Sequence, residues 1–586
     1  KGLKLSATGN YRYGSIAYKQ WCKDAAQYNW DSDKEPIYVN LPLLYNKTDY
    51  GHTWTTQFFA NYDKTFGKHS ITALGGYEQT YGYSNSYWVQ RKNYKIPIDQ
   101  IGAGPEETQK NGGSEGEVGR AGWIGQVKYN YDNKYFIEGS IRYDGSDNFS
   151  VDHRWGTFYS ASVGWSIADE VFFQDLVEKN IFNTMKLRAS YGQVGLDNWG
   201  DENDPFHIGR FEYISSYTLN NKAYVLNGAY VPGFSEGRIP SSDISWFTTD
   251  QFDVGVDFSS LNSRLYGSID YFFYKTHGFL YAPNQVDVGY TDPLGMALPR
   301  ISTDGEHRRA GFDFSAGWRD EHNDFTYDVS VNMTKFDQLW AFNPSESVTD
   351  VMNPYKRGSQ QKGFYGNLYQ CLGFYKNAED VYNSVKPLGS YDLTAGDLKY
   401  EDFNGDGKID DADQVRTGKN SFPRINYGLN VKLGYKGFFL NVLLQGSGSF
   451  DMYVGETAAM AGGQTGELPV IYEYQTDFWR PDNVDAQYPR LMSSPGLNGN
   501  NNYISSDFWL INGRYIRLKD FSFGYDFKRL LKNISWLSKA TLAVSGQNLF
   551  TISEALKYGL DPENASTEHY GYPNERVYAI SLSVGF

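Results

Sequence analysis

Residues 121–145 read AGWIGQVKYNYDNKYFIEGSIRYDG, and their parity decides the fold. Trp123, Gly125, Val127, Tyr129 and Tyr131 share one parity, while Ile124, Gln126, Lys128 and Asn130 share the other. A short turn follows at 132–134. Tyr135, Ile137, Gly139, Ile141 and Tyr143 then alternate with Glu138, Ser140, Arg142 and Asp144. A period of two places the first set on one face of a strand and the second on the other. The stretch predicts a hairpin with one apolar and one polar face.

The pattern recurs outward from this hairpin. Phe252, Val254, Val256 and Phe258 precede a turn and then Leu265, Gly267, Ile269, Tyr271 and Phe273. Phe312, Phe314, Ala316 and Trp318 lead to Phe325, Tyr327, Val329, Val331 and Met333. Tyr427, Leu429, Val431, Leu433 and Tyr435 turn at 436–437 into Phe438, Leu440, Val442 and Leu444. About 16 such segments occur, most near the ~10 residues that a tilted membrane strand needs. Short connections (63–68, 132–134, 259–263, 319–324, 436–437) alternate with long ones (12–53, 80–120, 195–249, 336–423, 449–513). Short turns on one side and long loops on the other are the outer-membrane pattern. The connections 145–155 and 168–183 fit it less well, being a short outer loop and a long inner turn.

Composition agrees. Aromatics are 17% of 586 residues, and the net charge is −15. No apolar run approaches the ~20 residues of a membrane helix, and lipid admits only helices and closed barrels as spanning structures. The acidic balance leaves no basic stripe to neutralise phosphates, which excludes a nucleic-acid partner. Cys22 and Cys371 make no disulfide framework and read as two isolated small side chains. The first residues, 1–5, lack the apolar core of a signal peptide. Tyr129, Tyr131, Trp165 and Tyr435 at strand ends read as an aromatic girdle at the headgroups. At the other end of the chain, Tyr578, Ile580, Leu582, Val584 and Phe586 form one face of a final strand ending in Phe. That face resembles the signal read by bacterial barrel-assembly machinery. The fold class is therefore all-β, a transmembrane antiparallel β-barrel in the bacterial outer membrane, in contact with membrane lipid.

Several stretches resemble the SusC-like family of TonB-dependent importers from Bacteroidetes. They are GWIGQVKYNYDNKYFIEGSIRYDGSDNFS (122–150), RWGTFYSASVGWSIADEVFF (154–173), LRASYGQVGLDN (187–198), DLKYEDFNGDGKIDDAD (397–413), DFWRPDNVDAQYPRL (477–491), GRYIRLKDFSFGYDF (513–527) and SGQNLFTISEALKYGLDPEN (545–564). The resemblance runs from about residue 50 to Phe586. It implies a barrel of 22 strands filled by a plug. Counted back from Phe586, the strand from Leu3 to Tyr11 would be strand seven. Residues 1–586 would then be the C-terminal part of the barrel, with the plug and about six strands supplied by another part of the same polypeptide or by a second chain. Otherwise the strands 3–11 and 577–586 would leave unpaired edges. The resemblance further implies active import of oligosaccharides or oligopeptides, a SusD-like surface lipoprotein as lid, and the TonB complex acting through the plug. Two rival readings are a passive porin of ~16 strands and a calcium-stabilised glycan-binding surface adhesin.

One local motif carries chemistry of its own. Asp402, Asn404 and Asp406 take positions one, three and five of a calcium loop, and Gly407 supplies the turn at six. Lys408 would offer its carbonyl at seven, Asp410 fits nine, and Asp413 stands where Glu is usual. The expectation is a structural calcium ion that stiffens the extracellular loop 336–423. Tyr81, Tyr83, Tyr87, Trp88, Trp199 and Trp340 are read as outer-loop aromatics, of which Tyr87, Trp88, Trp199 and Trp340 are the candidate sugar-stacking residues. The eight His are scattered, His69 is read as interfacial, and no nucleophile elbow or phosphate loop occurs. The chain is read as a non-enzyme.

Overall fold

The computed structural model describes residues 2–28, 36–198, 207, 209–281, 298–344, 352, 367–416, 418–455, 471–492, 495–531, 534, 536–564 and 574–586. Sixteen strands follow one another in chain order in one antiparallel sheet. They are β1 (Leu3–Cys22), β2 (Leu43–Phe66), β3 (His69–Lys92), β4 (Lys110–Tyr131), β5 (Tyr135–Ser146), β6 (Trp155–Ser166), β7 (Phe182–Leu196) and β8 (Phe247–Ser260). The rest are β9 (Leu265–His277), β10 (Glu306–His322), β11 (Phe325–Phe342), β12 (Ile425–Tyr435), β13 (Phe438–Gly448), β14 (Tyr515–Asp526), β15 (Lys539–Ser553) and β16 (Val577–Gly585). The turn 132–134 falls between β4 and β5, and Asp132 and Asn133 adopt φ of +55° and +56°. Asn and Asp tolerate that left-handed backbone, which matches the twist of a tight hairpin. Lys436-Gly437 turns β12 into β13, with Gly437 at φ +96°, where a Cβ would also crowd the Tyr525 ring at 3.0 Å. Among the described residues no helix is long and apolar enough to cross a membrane.

The chain divides into two compact units, residues 1–162, 192–248 and 280–302, and residues 163–191, 249–279 and 303–586. In the N-terminal unit the register sorts the side chains as the parity requires. One face carries the register row Leu3, Tyr62, Ala73, Val127 and Gly139, and beside it Leu5, Ala60, Gly75, Gly125 and Ile141. Its upper margin is aromatic. Tyr11 packs on Trp54 at 4.4 Å, Tyr77 on Trp123 at 4.8 Å and Tyr143 on Trp155 at 4.9 Å. Its lower margin is Phe66, His69, Tyr131 and Tyr135, with His69 Nδ1 2.8 Å from the Tyr129 hydroxyl. From Trp123 to Tyr131 the strand runs ~26 Å at ~3.3 Å per residue, or ~20 Å along the membrane normal at the usual tilt, on the scale of the ~25 Å apolar band of an outer-membrane barrel. The apolar face is thus the lipid face, bounded by two aromatic girdles.

The opposite face is a polar ladder. Gln57 donates to Glu78, Thr55 meets Thr80 at 3.3 Å, Thr72 donates to Asp63 at 2.9 Å, and Gln126 donates to Glu138 at 2.6 Å. The C-terminal unit repeats the sorting. Ser268 meets Ser315 at 2.8 Å, and Arg188 bridges Asp257 and Asp270 at 2.7 and 2.8 Å.

Two expectations change. The strands are not all near ten residues: β1 to β4 run to 20–24 residues. The long connections shrink accordingly, from 80–120 to 93–109 and from 12–53 to 23–42, where Ala25–Tyr28 and Pro36–Asn40 form a small hairpin. The sequence criterion was apolar alternation, which marks only the part of a strand facing lipid. Above the girdle the same strands continue through Thr, Tyr, Ser, Asn and Gly, which pair without an apolar face. The connection 167–181 is filled by single helical turns at Ile167–Asp169, Val171–Phe173 and Gln174–Glu178.

Candidate functional site

In the C-terminal unit the long connections fold onto one another as a cap. Asn377 caps the short helix Ala378–Asn383, its side chain accepting the Asp380 N–H at 2.9 Å. A hairpin pairs Cys371–Phe374 with Leu398–Tyr400. Leu398, Tyr400 and Ile409 form one small buried core, and Phe450, Met452, Val454, Tyr488, Trp509 and Ile511 belong to a larger one.

The cap is pinned by one buried carboxylate. Asp397 is fully buried, and Arg490 grips both its oxygens at 2.7 and 3.0 Å. Asn498 and Asn502 donate to the same carboxylate at 3.1 and 3.0 Å, and the Thr394 N–H at 2.9 Å. Asn502 also accepts the Leu398 N–H at 2.8 Å, and the Trp509 indole donates to the Asn502 carbonyl at 3.0 Å. A charge buried this deeply persists only when every lone pair is occupied. The hub joins residues more than ninety positions apart. A second network fixes the segment after β15: Arg517, 2% exposed, binds Asp561 and Glu563 at 2.7 and 2.6 Å, and Lys519 reaches Glu563 at 2.8 Å. Burial pushes the Cys371 thiol up to about 12 and the Tyr375 phenol up to about 12. Asp507, whose carboxylate accepts the Cys371 N–H at 2.8 Å, is also held above the usual carboxylate range, chiefly by burial.

The calcium-type loop belongs to this cap. Asp402 accepts N–H bonds from Gly405 and Gly407 at 2.8 Å each, and Asp406 accepts the Lys408 N–H at 2.9 Å. Asp410 accepts the Ala412 N–H at 2.9 Å, and Asn404 accepts the Asp406 N–H at 2.8 Å. Asp413, 1% exposed, accepts N–H bonds from Phe403, Asn404 and Asp410 at 2.9, 3.1 and 2.9 Å. Gly405 and Gly407 supply the two positive φ values that wind the loop, +75° and +84°. The acids are thus turned onto the loop's own amides. Among the described residues no group of three or more His, Cys, Asp or Glu side chains is arranged to hold a metal.

The candidate sugar-stacking residues are not brought together. Tyr87 and Trp88 lie in β3 rather than in a loop, and as strand neighbours they point to opposite faces. Trp88 stacks on Tyr45 at 5.7 Å on the side of the polar ladder. Trp340 is within β11, packed against Phe279 and His307 at 4.5 and 5.4 Å. Trp199 lies outside the described residues. In the N-terminal unit, sequence reasoning missed a different feature on the polar side. Arg120 grips Asp197 through two bonds of 2.7 Å, Ser146 donates to the same carboxylate at 2.7 Å, and a cavity of about 550 Å³ opens beside them. Arg142, Asp144, Glu78 and Trp246 also line it. Arg120 lies just before the stretch 122–150 and Asp197 near the end of the stretch 187–198, and only the folded sheet brings them together.

No family model matches the chain. It is 27% identical to the TonB-dependent receptor SusC of Bacteroides thetaiotaomicron, over 100% of this chain and 53% of SusC. It is 27% identical to the TonB-dependent receptor P3 of Formosa agariphila, over 92% of this chain and 53% of the relative. Along its whole length this chain is similar to SusC-like TonB-dependent receptors. The RagAB peptide importer in its open-open state shares the fold, with a TM-score of 0.76 at 19% identity, covering 100% of this chain and 59% of that one. In the closed-closed state the TM-score is 0.74, also at 19% identity, covering 100% of this chain and 60% of that one. The chain spans about half the length of the curated relatives it matches. Its fold is an all-β outer-membrane barrel fold, and its place is the bacterial outer membrane. The relatives compared are receptors and transporters rather than enzymes.

Proposed function

We propose that this chain is the barrel wall and outer cap of a TonB-dependent importer for oligosaccharides or oligopeptides. A plug and further strands complete the barrel, and a SusD-like surface lipoprotein closes over the cap. The observation that carries the reading is the match to SusC along the whole chain, joined to a polar-faced strand wall with a lipid-facing girdle. Energy enters through the TonB complex acting on the plug, so this chain supplies the passage and the outer surface. The charged cavity beside Arg120 and Asp197, and Trp88 on the same face, are where a polar substrate would meet the wall. A passive porin and a surface adhesin receive no support from the comparisons.

Calcium has a structural part in this reading. Asp402, Asn404, Asp406 and Asp410, with the Lys408 carbonyl, would hold the ion, while Asp413 stays buried as the pivot. The loop 402–413 carries five Asp against one Lys, and close carboxylates repel unless neutralised. The test of the main proposal is uptake. Cells carrying the intact gene should accumulate labelled oligosaccharide or oligopeptide, and a protonophore should stop them. Uptake indifferent to the protonophore, or unchanged on deletion, would overturn it.

A further inference from the structure

The lipid-facing rows of the N-terminal unit continue above the upper girdle. Beyond Trp54 the same face carries the row Tyr13, His52, Tyr83 and Glu117. Above it lies Ser15, Tyr50, Asn85 and Glu115, and then Ala17, Thr48, Tyr87 and Gly113. His52 packs on Tyr83 at 5.5 Å, and Tyr50 on Tyr83 at 6.5 Å. Asn85 donates to Glu115 at 2.8 Å and to the Tyr83 hydroxyl at 3.3 Å. Tyr13 and Tyr87 stand open, 59% and 51% exposed.

Height and chemistry together select an occupant. Rows on one face are two residues apart, ~6.6 Å along the strand. Even allowing for strand tilt, three rows rise ~15 Å. A phospholipid headgroup zone is only ~5–8 Å deep on each side of the hydrocarbon, so it reaches Tyr13 and His52 beside the Tyr11–Trp54 girdle and nothing above them. The rows contain no Lys or Arg, the residues that hold anionic headgroups. Their only charges are the carboxylates Glu115 and Glu117, which repel phosphate. Tyr combines a flat apolar ring with a hydroxyl, suited to the C–H face and hydroxyls of a sugar. The surface is continuous with the lipid face, so its neighbour is the membrane's own outer leaflet.

We infer that this outward face binds the uncharged saccharide headgroup of an outer-leaflet glycolipid. Tyr13 and Tyr87 stack on the sugar, and Asn85, Tyr50 and Glu115 take its hydroxyls. This assigns Tyr87 to the lipid side of the wall, away from the passage. It depends on the membrane placement and not on what is transported.

The test uses the full protein in phosphatidylcholine nanodiscs that carry digalactosyldiacylglycerol, phosphatidylglycerol or neither. Native mass spectrometry after transfer to detergent counts the lipid that stays bound. The galactolipid should be retained several-fold over phosphatidylglycerol. Tyr13→Ala with Asn85→Ala and Tyr87→Ala should abolish that excess while the barrel keeps its heat-modifiable mobility. If that variant fails to assemble, Glu115→Gln with Glu117→Gln supplies the readout, since it should raise phosphatidylglycerol retention. Equal retention of the two lipids, excess unchanged in the triple variant, or phosphatidylglycerol unmoved by the double variant would overturn the inference. So would saturation by the free disaccharide, which would make this a soluble-sugar site, or a protein dimer in place of bound lipid.

Discussion

Asp397→Ala should unfasten the cap without touching the strand wall. The substitution leaves the Arg490 guanidinium, the Asn498 and Asn502 amides and the Thr394 N–H without their shared acceptor. Removing one partner of a buried ion pair costs ~3–5 kcal/mol. Arg490 is 23% exposed and can recruit some water, so the lower end applies, about 3 kcal/mol. At 1.4 kcal/mol per decade, that raises the population of the opened cap roughly 100-fold. Cys371 reports the opening, because its thiol is half-buried and its pKa is pushed up to about 12 in the closed cap. In a background with Cys22→Ser, alkylation of Cys371 at neutral pH should accelerate by about the same factor. Asp397→Asn, which keeps the shape and loses the charge, should fall between. Alkylation unchanged in Asp397→Ala, with the barrel intact, would refute the view that this hub holds the loops together.

Other outcomes follow from the same structure. Asp402→Ala with Asp406→Ala should make the cap protease-sensitive, and a chelator should do the same to the unaltered protein; no effect of chelation would remove calcium from the account. Asp507 has a raised carboxyl pKa, so its contribution to cap stability is complete at low pH and is lost as pH rises through the raised value. Asp507→Asn should therefore flatten the loss of thermal stability between acidic and neutral pH, and an unaltered profile would contradict this. Val127 lies mid-band on the lipid face, so Val127→Arg should destabilise the barrel by ~2–4 kcal/mol. Gln126→Arg, on the polar face opposite Glu138, should be tolerated; equal effects in urea unfolding would mean that the faces are misassigned.

The strand wall was legible because its physics is periodic. The hairpin at 121–145 and the turns at 132–134 and 436–437 appear where parity places them. The upper halves of β1 to β4 were not legible, since Thr, Ser and Tyr pair there without an apolar side. The cap was hidden for another reason. Asp397 and Arg490 sit in separate motifs, and nothing local says that an Asp before Leu398 binds an Arg after Pro489. Ile409, 1% exposed, is the apolar anchor inside an acidic loop, and its isolation among Asp residues was the available signal. Tyr87 and Trp88, read from the sequence as loop aromatics, stand back to back in β3.

Topology is the most direct test of the account. Single cysteines at Asn227 and Ser390 in the long connections, and at Asn133 and Asn323 in the short turns, can be introduced with Cys22 and Cys371 replaced by Ser. A membrane-impermeant maleimide applied to intact cells should label Asn227→Cys and Ser390→Cys. Asn133→Cys and Asn323→Cys should label only after the outer membrane is permeabilised. Labelling of the turn positions in intact cells, with the loop positions protected, would contradict the assignment of the sixteen strands to an outer-membrane wall with its cap outside.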